Sequence, residues 1–304
     1  MLSIQRISKI VTIGVLVGYS TIVSADGRLA ASLIRIPEST ASLFVAEVST
    51  ARFHQFDRSD DGVVFSGSYY MSIGQNGSGK QRSGDKRTPL GVYFVTEQLD
   101  TSNLHDKYGV TAFPLDYPNV WDRLADRDGD GIWIHGVMPS GGLRPERDTD
   151  GCIALPNEDL SSLVPDFQSN VTPVLVTLSV NWVGAAEHRA LRLELENKID
   201  EWADVQKSGD LFAYLSLYSD EFQRWGMNKA EWSSLTLQTG SLRAIQQANV
   251  SDLLLVAYPE EEGVYLSRFQ LETVEDARKT TSRKRLYWRR DTEGALKIVA
   301  EDDG

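Results

Sequence analysis

"WIHGVMPSGGLRPERDTDGCIALPN", residues 133–157, is two short apolar runs separated by a polar, glycine- and proline-rich loop. The first run ends at His135 and the second opens at Cys152. Cys152 is the sole cysteine among 304 residues, and His135 is one of four histidines. A loop of this length can bring its two ends side by side. A thiol becomes a nucleophile only as thiolate, and a histidine can remove its proton; the imidazolium then stabilises the thiolate. Gly136 follows the histidine and Gly151 precedes the cysteine. Glycine there allows a sharp turn that presents backbone N–H groups to a developing oxyanion. The bland alternative is a core strand, because free cysteine is often a small buried apolar residue and "CIAL" is apolar.

Working outward, "LFVAEV", "VVFSGSYYMSI", "LGVYFV", "GIWIHG", "CIAL" and "VTPVLVTLSV" are rich in Val, Ile, Tyr and Phe and bounded by Gly, Asp and Pro. That pattern predicts a mainly β domain of sandwich or barrel type over residues 43–181, with Asn157 capping one short helix. After Gly184 the pattern turns helical. Leu191, Leu195, Ile199, Trp202 and Val205 recur at helical spacing, and Lys207 and Gly209 close the run. Asp210 caps a second predicted helix, "DLFAYLSLYSDEF". Strand-like runs follow, the last two joined by the turn "DTEG". Residues 185–304 therefore read as an α+β domain in its own right.

The first 25 residues carry Arg6 and Lys9, an apolar run from Ile10 to Val23, and small residues at Val23 and Ala25. This is an export signal with cleavage expected after Ala25, which leaves 26–42 as an N-terminal segment and places the mature chain in the periplasm. One cysteine excludes an internal disulfide and, in an exported chain, raises a working thiol or intermolecular pairing. The net charge of −12 argues against nucleic acid as the partner.

Two other motifs fall away. "GQNGSGKQ", from Gly74 to Gln81, nearly matches a phosphate-binding loop, but Gln81 replaces the magnesium-binding hydroxyl, and glycines and a proline forbid the following helix. "DRDGDG", from Asp126 to Gly131, begins like a calcium loop, yet Val137 stands where the bidentate glutamate belongs. The four histidines show no metal-ligand spacing, so neither metal nor cofactor is expected.

"IHG", a loop and "DTDGCIALPN" together resemble the signature of the L,D-transpeptidase (YkuD-like) catalytic domain. "GDKRTPLGVY" (Gly84 to Tyr93) and "YGVTAFPLDYPNVWDR" (Tyr108 to Arg123) resemble its upstream segments, in the family's order. Residues from about His188 to Asp303 resemble the NTF2-like α+β cone found behind some of these domains, including those of cell-shape-determining peptidoglycan L,D-carboxypeptidases and transpeptidases. The resemblance implies Cys152 as acylated nucleophile, His135 as base, and the Gly151 and Cys152 amides as oxyanion hole. It implies peptidoglycan tetrapeptide stems as donors, with an amine, water or a lipoprotein amine as acceptor. The C-terminal domain is expected to support or dimerise the catalytic one. Two positions depart from the pattern, and they motivate a second class of reading, a non-catalytic wall-binding protein that keeps the fold, against which the retention of both Cys152 and His135 speaks. Asp150 stands where many members have histidine, and a carboxylate beside a thiol opposes its ionisation. Ala154 stands where many have an arginine that grips a carboxylate, which leaves Arg144 and Arg147 as substrate-binding candidates, together with Asp150.

Overall fold

The structure, a computed structural model, describes residues 29–59, 62–140, 142–240, 242 and 244–304. The expected export signal lies outside the described residues. Among those described, no helix is long and apolar enough to cross a membrane.

A five-stranded sheet sits at the centre. Its order is Gly62–Tyr70, Arg52–Ser59, Ser42–Glu47, Pro173–Thr177 and Gly91–Phe94. Ser42–Glu47 and Pro173–Thr177 read as nearly unbroken apolar runs because both faces are buried. Phe44, Ala46, Tyr93, Val174 and Val176 point to one side, into a core shared with Phe113, Ile134, Ile153 and Leu160. Leu43, Val45, Val92, Phe94 and Leu175 point to the other. There they meet Leu254, Val256, Val264, Leu266 and Tyr287, which belong to a seven-stranded sheet built from the C-terminal half. That second sheet is also buried on both faces. Its far side carries Leu253, Leu255, Phe269, Leu286 and Trp288, covered by Leu195, Ile199 and Trp202 of the helix Ala185–Ser208. The molecule is thus layered: a small sheet, the central sheet, the C-terminal sheet and its helices. This is the β-rich domain plus α+β cone read from the sequence.

The two halves are not independent. The strand Leu33–Arg35 pairs antiparallel with Gln247–Ala257 and forms the edge of the C-terminal sheet. Leu29–Ala30 pairs with Trp182–Val183. The N-terminal segment therefore belongs structurally to both halves. Polar ties reinforce the apolar layer. Asn119 Nδ2 donates to Tyr258 Oη at 3.0 Å, Arg127 Nη2 to Glu261 Oε1 at 3.1 Å, and Thr177 Oγ1 to Glu260 Oε1 at 2.9 Å.

Local details follow the sequence in part. Asp210 caps its helix by accepting from the Phe212 and Ala213 amides, and Gly209 ends the preceding one in the left-handed region. The second helix, however, stops at Ser216 rather than running on to Phe222. Residues Tyr218–Arg224 are instead a strand, drawn into the sheet by pairing with Leu296–Asp302. Asn157 does not cap its helix either; Pro156 holds that place, and the Asn157 side chain is used elsewhere.

A chain ended after Gly184 would uncover Leu43, Val45, Val92, Phe94 and Leu175 together. We expect it to aggregate or to bind a hydrophobic dye on expression, and a soluble, cooperatively unfolding fragment would refute the shared core. In the full chain, Leu33→Ala should cost about 2–5 kcal/mol in urea unfolding, as for other fully buried leucines.

Candidate active site

The small sheet sets the site. Trp133–His135 runs antiparallel to Ala112–Pro114 and parallel to Ile153–Ala154. In this register Ile134 faces Ile153 and His135 faces Ala154. Both isoleucines are fully buried in the core. By strand alternation His135, Ala154 and Cys152 share the opposite face. Continued by one residue, the pairing sets Cys152 beside Trp133, so His135 is its diagonal neighbour. The loop between them thus does bring its ends together.

His135 is buried, at 3% exposure. Its Nδ1 lies 2.6 Å from the Gly136 carbonyl. A carbonyl only accepts, so Nδ1 carries the proton and Nε2 is left as the basic nitrogen. The edge of the ring meets Tyr108 at 5.2 Å between centroids. Burial pushes the His135 pKa down to about 4, with Arg144 and Lys107 adding to the effect against the Gly136 contact. The imidazole is therefore neutral at pH 7.

Cys152 is half-buried. Its thiol donates to the Gly131 carbonyl at 3.4 Å. Burial pushes the thiol pKa above its ordinary value, and Asp150 pushes the same way; the Trp133 amide, Lys107 and Arg144 oppose it. The resting pair is thus thiol and neutral imidazole, not the thiolate–imidazolium pair that the bare sequence suggests.

Two threonines hold the turn at Gly151 and Cys152. Thr88 is fully buried. Its hydroxyl donates to the Gly151 carbonyl at 2.9 Å and accepts from the Gly74 amide at 2.9 Å. Thr149 donates to the Cys152 carbonyl at 2.7 Å and accepts from the Gly151 amide at 3.1 Å. That second bond occupies an N–H expected for the oxyanion hole. The Cys152 amide has no acceptor among the described residues. Gly151 itself has a φ of +129°, and a Cβ there would press on the Arg87 carbonyl at 2.8 Å, so only glycine fits.

Asn157 clamps the backbone beyond the histidine. Its Oδ1 accepts from the Val137 amide at 2.9 Å and its Nδ2 donates to the Val137 carbonyl at 2.8 Å. Gly136 leaves room for this clamp, since a Cβ would collide with the Asn157 oxygen.

The remaining predicted residues are scattered around the mouth. Asp150 is exposed between Lys86 at 3.7 Å and Lys107 at 3.9 Å. Arg144 is folded back on Asp148, donating to its carboxylate at 2.9 Å and to its carbonyl at 2.7 Å. Arg147 is exposed and lies against Gly77. Ala154, 1% exposed, lies beneath the face it shares with His135. Sequence reasoning missed Thr88, Thr149 and Tyr108 as site-forming residues. All three stood in the segments that carried the resemblance, but nothing local showed what they would touch.

The two phosphate- and calcium-like motifs have structural duties. Lys80, 3% exposed, is paired with Asp85 at 2.9 Å. Asp128 accepts from the Ser83 amide at 2.6 Å, which ties the two loops together. Among the described residues no group of His, Cys, Asp or Glu is arranged to hold a metal ion.

Residues 44–176 match the family of the L,D-transpeptidase (YkuD) catalytic domain, and residues 194–302 match the Cds6 C-terminal NTF2-like domain. The chain carries a YkuD L,D-transpeptidase domain followed by an NTF2-like domain. Two solved structures share the whole arrangement. Bd1075 of Bdellovibrio bacteriovorus superposes with a TM-score of 0.74 at 24% identity, over 90% of this chain and 97% of that one. The helical cell shape determining protein Pgp2 of Campylobacter jejuni gives 0.75 at 24% identity, over 90% and 95%. At that identity they establish the fold. No curated protein sequence matches significantly. The L,D-transpeptidase family to which the catalytic domain belongs modifies peptidoglycan.

Two outcomes test the site. Thr88→Val orphans the Gly74 amide and the Gly151 carbonyl, both buried, at a cost of about 2–4 kcal/mol. It should also change the alkylation rate of Cys152; unchanged stability and reactivity would dismiss the role given to Thr88. The second outcome concerns pH. A lowered folded-state pKa means that the unfolded chain binds the extra proton first. The contribution of His135 to stability is therefore present above pH 6.5 and lost as pH falls towards 4. His135→Gln should flatten this part of the stability profile, and the imidazole should titrate near pH 4 by NMR.

Proposed function

We propose that the protein is a cysteine acyltransferase that works on peptidoglycan stem peptides outside the cytoplasm, with Cys152 as nucleophile and His135 as base. The observation that carries this reading is the register of Trp133–His135 with Ile153–Ala154, which sets thiol and imidazole on one face of a YkuD domain. In this mechanism His135 Nε2 takes the thiol proton as sulfur attacks the carbonyl of the third stem residue. The Cys152 amide, backed by the Thr149 and Thr88 network, receives the developing oxyanion. The imidazolium then gives its proton to the leaving amine of the terminal D-alanine, and a thioester remains. An amine from a second stem resolves the thioester into a crosslink, which makes the leading reading an L,D-transpeptidase. A lipoprotein amine is a further candidate acceptor.

Hydrolysis is the second reading. It is favoured by the cover over the site: His135 is 3% exposed and Cys152 half-buried, a state more open to water than to a bulky amine. A tetrapeptide would then be trimmed to a tripeptide. A role in cell shape follows by likeness to Pgp2, and the exposed Phe212 and Leu237 of the NTF2-like domain are candidates for contact with a second copy.

Mass spectrometry of muropeptides tests both readings. The chain from residue 26, incubated with purified disaccharide-tetrapeptide, should give dimers joined through third-position residues. Tripeptide alone would assign the carboxypeptidase. Cys152→Ala should give neither product, and equal turnover by that variant would overturn the assignment of the nucleophile.

A further inference from the structure

A stem peptide is an anion, and this chain carries a net charge of −12. Productive binding therefore needs a local cation within about one residue of Cys152. The strand position nearest to both catalytic groups is the buried Ala154, which supplies none. Four cations stand around the mouth, and two of them, Arg144 and Lys86, are held by uncharged or acidic groups away from the thiol. Arg144 is held twice by Asp148. The Arg147 guanidinium lies beside Gly77. Lys86 donates to Gln75 Oε1 at 3.1 Å.

Lys107 differs from these. Its backbone is fixed in the single turn Asp106–Tyr108, where its amide donates to His105 Nδ1 at 3.1 Å. The Tyr108 carbonyl of that turn accepts from the Gly136 amide at 3.0 Å, which fastens the turn to the histidine strand. The Lys107 ammonium lies over the Tyr108 ring at 5.1 Å, and the edge of that ring meets His135. On the other side the ammonium faces Asp150, which immediately precedes Gly151 and Cys152. One half-exposed cation thus spans the histidine arm and the cysteine arm. Among the described residues its one acid partner is a carboxylate at 3.9 Å, too long for a direct hydrogen bond and 64% exposed.

We propose that Lys107 receives the free terminal carboxylate of the peptide whose neighbouring carbonyl Cys152 attacks, and that Asp150 stands in for this carboxylate while the site is empty. The inference rests on the stem-peptide reading above. Binding of substrate exchanges one carboxylate for another at the same ammonium, so Asp150 is a competitor that weakens affinity. Its displacement also moves a negative charge away from the thiol. The charge of Lys107 lowers the pKa of both His135 and Cys152, so the same residue eases thiol ionisation while keeping the imidazole neutral.

The test compares the free-acid tetrapeptide with its terminal carboxamide, which lacks only the charge. Binding is measured by calorimetry on the Cys152→Ala protein, which needs no turnover, and kcat/KM on the active protein. The acid should bind at least roughly tenfold more tightly than the amide, the scale of one charged hydrogen bond. Lys107→Met should lose that preference by weakening the acid alone, Lys107→Arg should keep most of it, and Lys86→Met should leave it intact. Asp150→Asn should strengthen binding of the acid. Equal binding of acid and amide by the Cys152→Ala protein, or equal losses on both in Lys107→Met, would overturn the proposal. Discrimination in binding with no product from the active protein would uphold it and reject the reaction instead.

Discussion

Three strands of the central sheet, Ser42–Glu47, Pro173–Thr177 and Gly91–Phe94, are buried on both faces, and most of the structure is a consequence of that burial. A sheet can shed water from both sides only if something apolar covers each. On one side the cover is the small sheet with His135 and Cys152. On the other it is the C-terminal sheet, whose own far face then requires helices. Removing any layer exposes the next, so the NTF2-like half is part of the core that supports the active site rather than an attachment to it. The strap formed by Leu33–Arg35 follows the same logic, since it closes an edge that would otherwise carry unpaired backbone groups.

The geometry of the candidate site depends on how that core meets the surface. Ile134 and Ile153 anchor their strands inward, and strand alternation then forces His135 and Cys152 outward onto one face. Side chains on a rigid ladder need little help from their own loop. What the loop does need is closure at Gly151, where a left-handed backbone and a close carbonyl exclude every other residue. Thr88 and Thr149 supply this closure through four hydrogen bonds, so the "TPLG" segment acts on the Cys152 turn from a distant part of the chain.

Burial also sets the electrostatics. A desolvated thiol and a desolvated imidazole both favour their neutral forms, so both groups rest uncharged. Lys107, Arg144 and Asp150 adjust this balance from the rim. Asp150 looked adverse in the sequence because it sits beside the thiol. In the fold it is drawn between two lysines, which offset part of its charge.

Much was legible in the chain itself. Two-faced burial wrote "LFVAEV" and "VTPVLVTLSV" as nearly unbroken apolar strands. Helical spacing from Leu191 to Val205 marked the C-terminal helix, and the lone cysteine, the histidine and their glycines marked the site. Local chemistry fixes such features because they depend on neighbours in sequence. The rest depended on partners far along the chain. Tyr218–Arg224 is a strand because Leu296–Asp302 pairs with it, against a helical pattern at its start. Asn157 clamps Val137 instead of capping its helix, Thr88 meets Gly151, and Leu33–Arg35 crosses to the other half. Only the folded chain decides such contacts, because a hydrogen bond or a shared apolar face between residues distant in sequence leaves no periodicity in either segment alone.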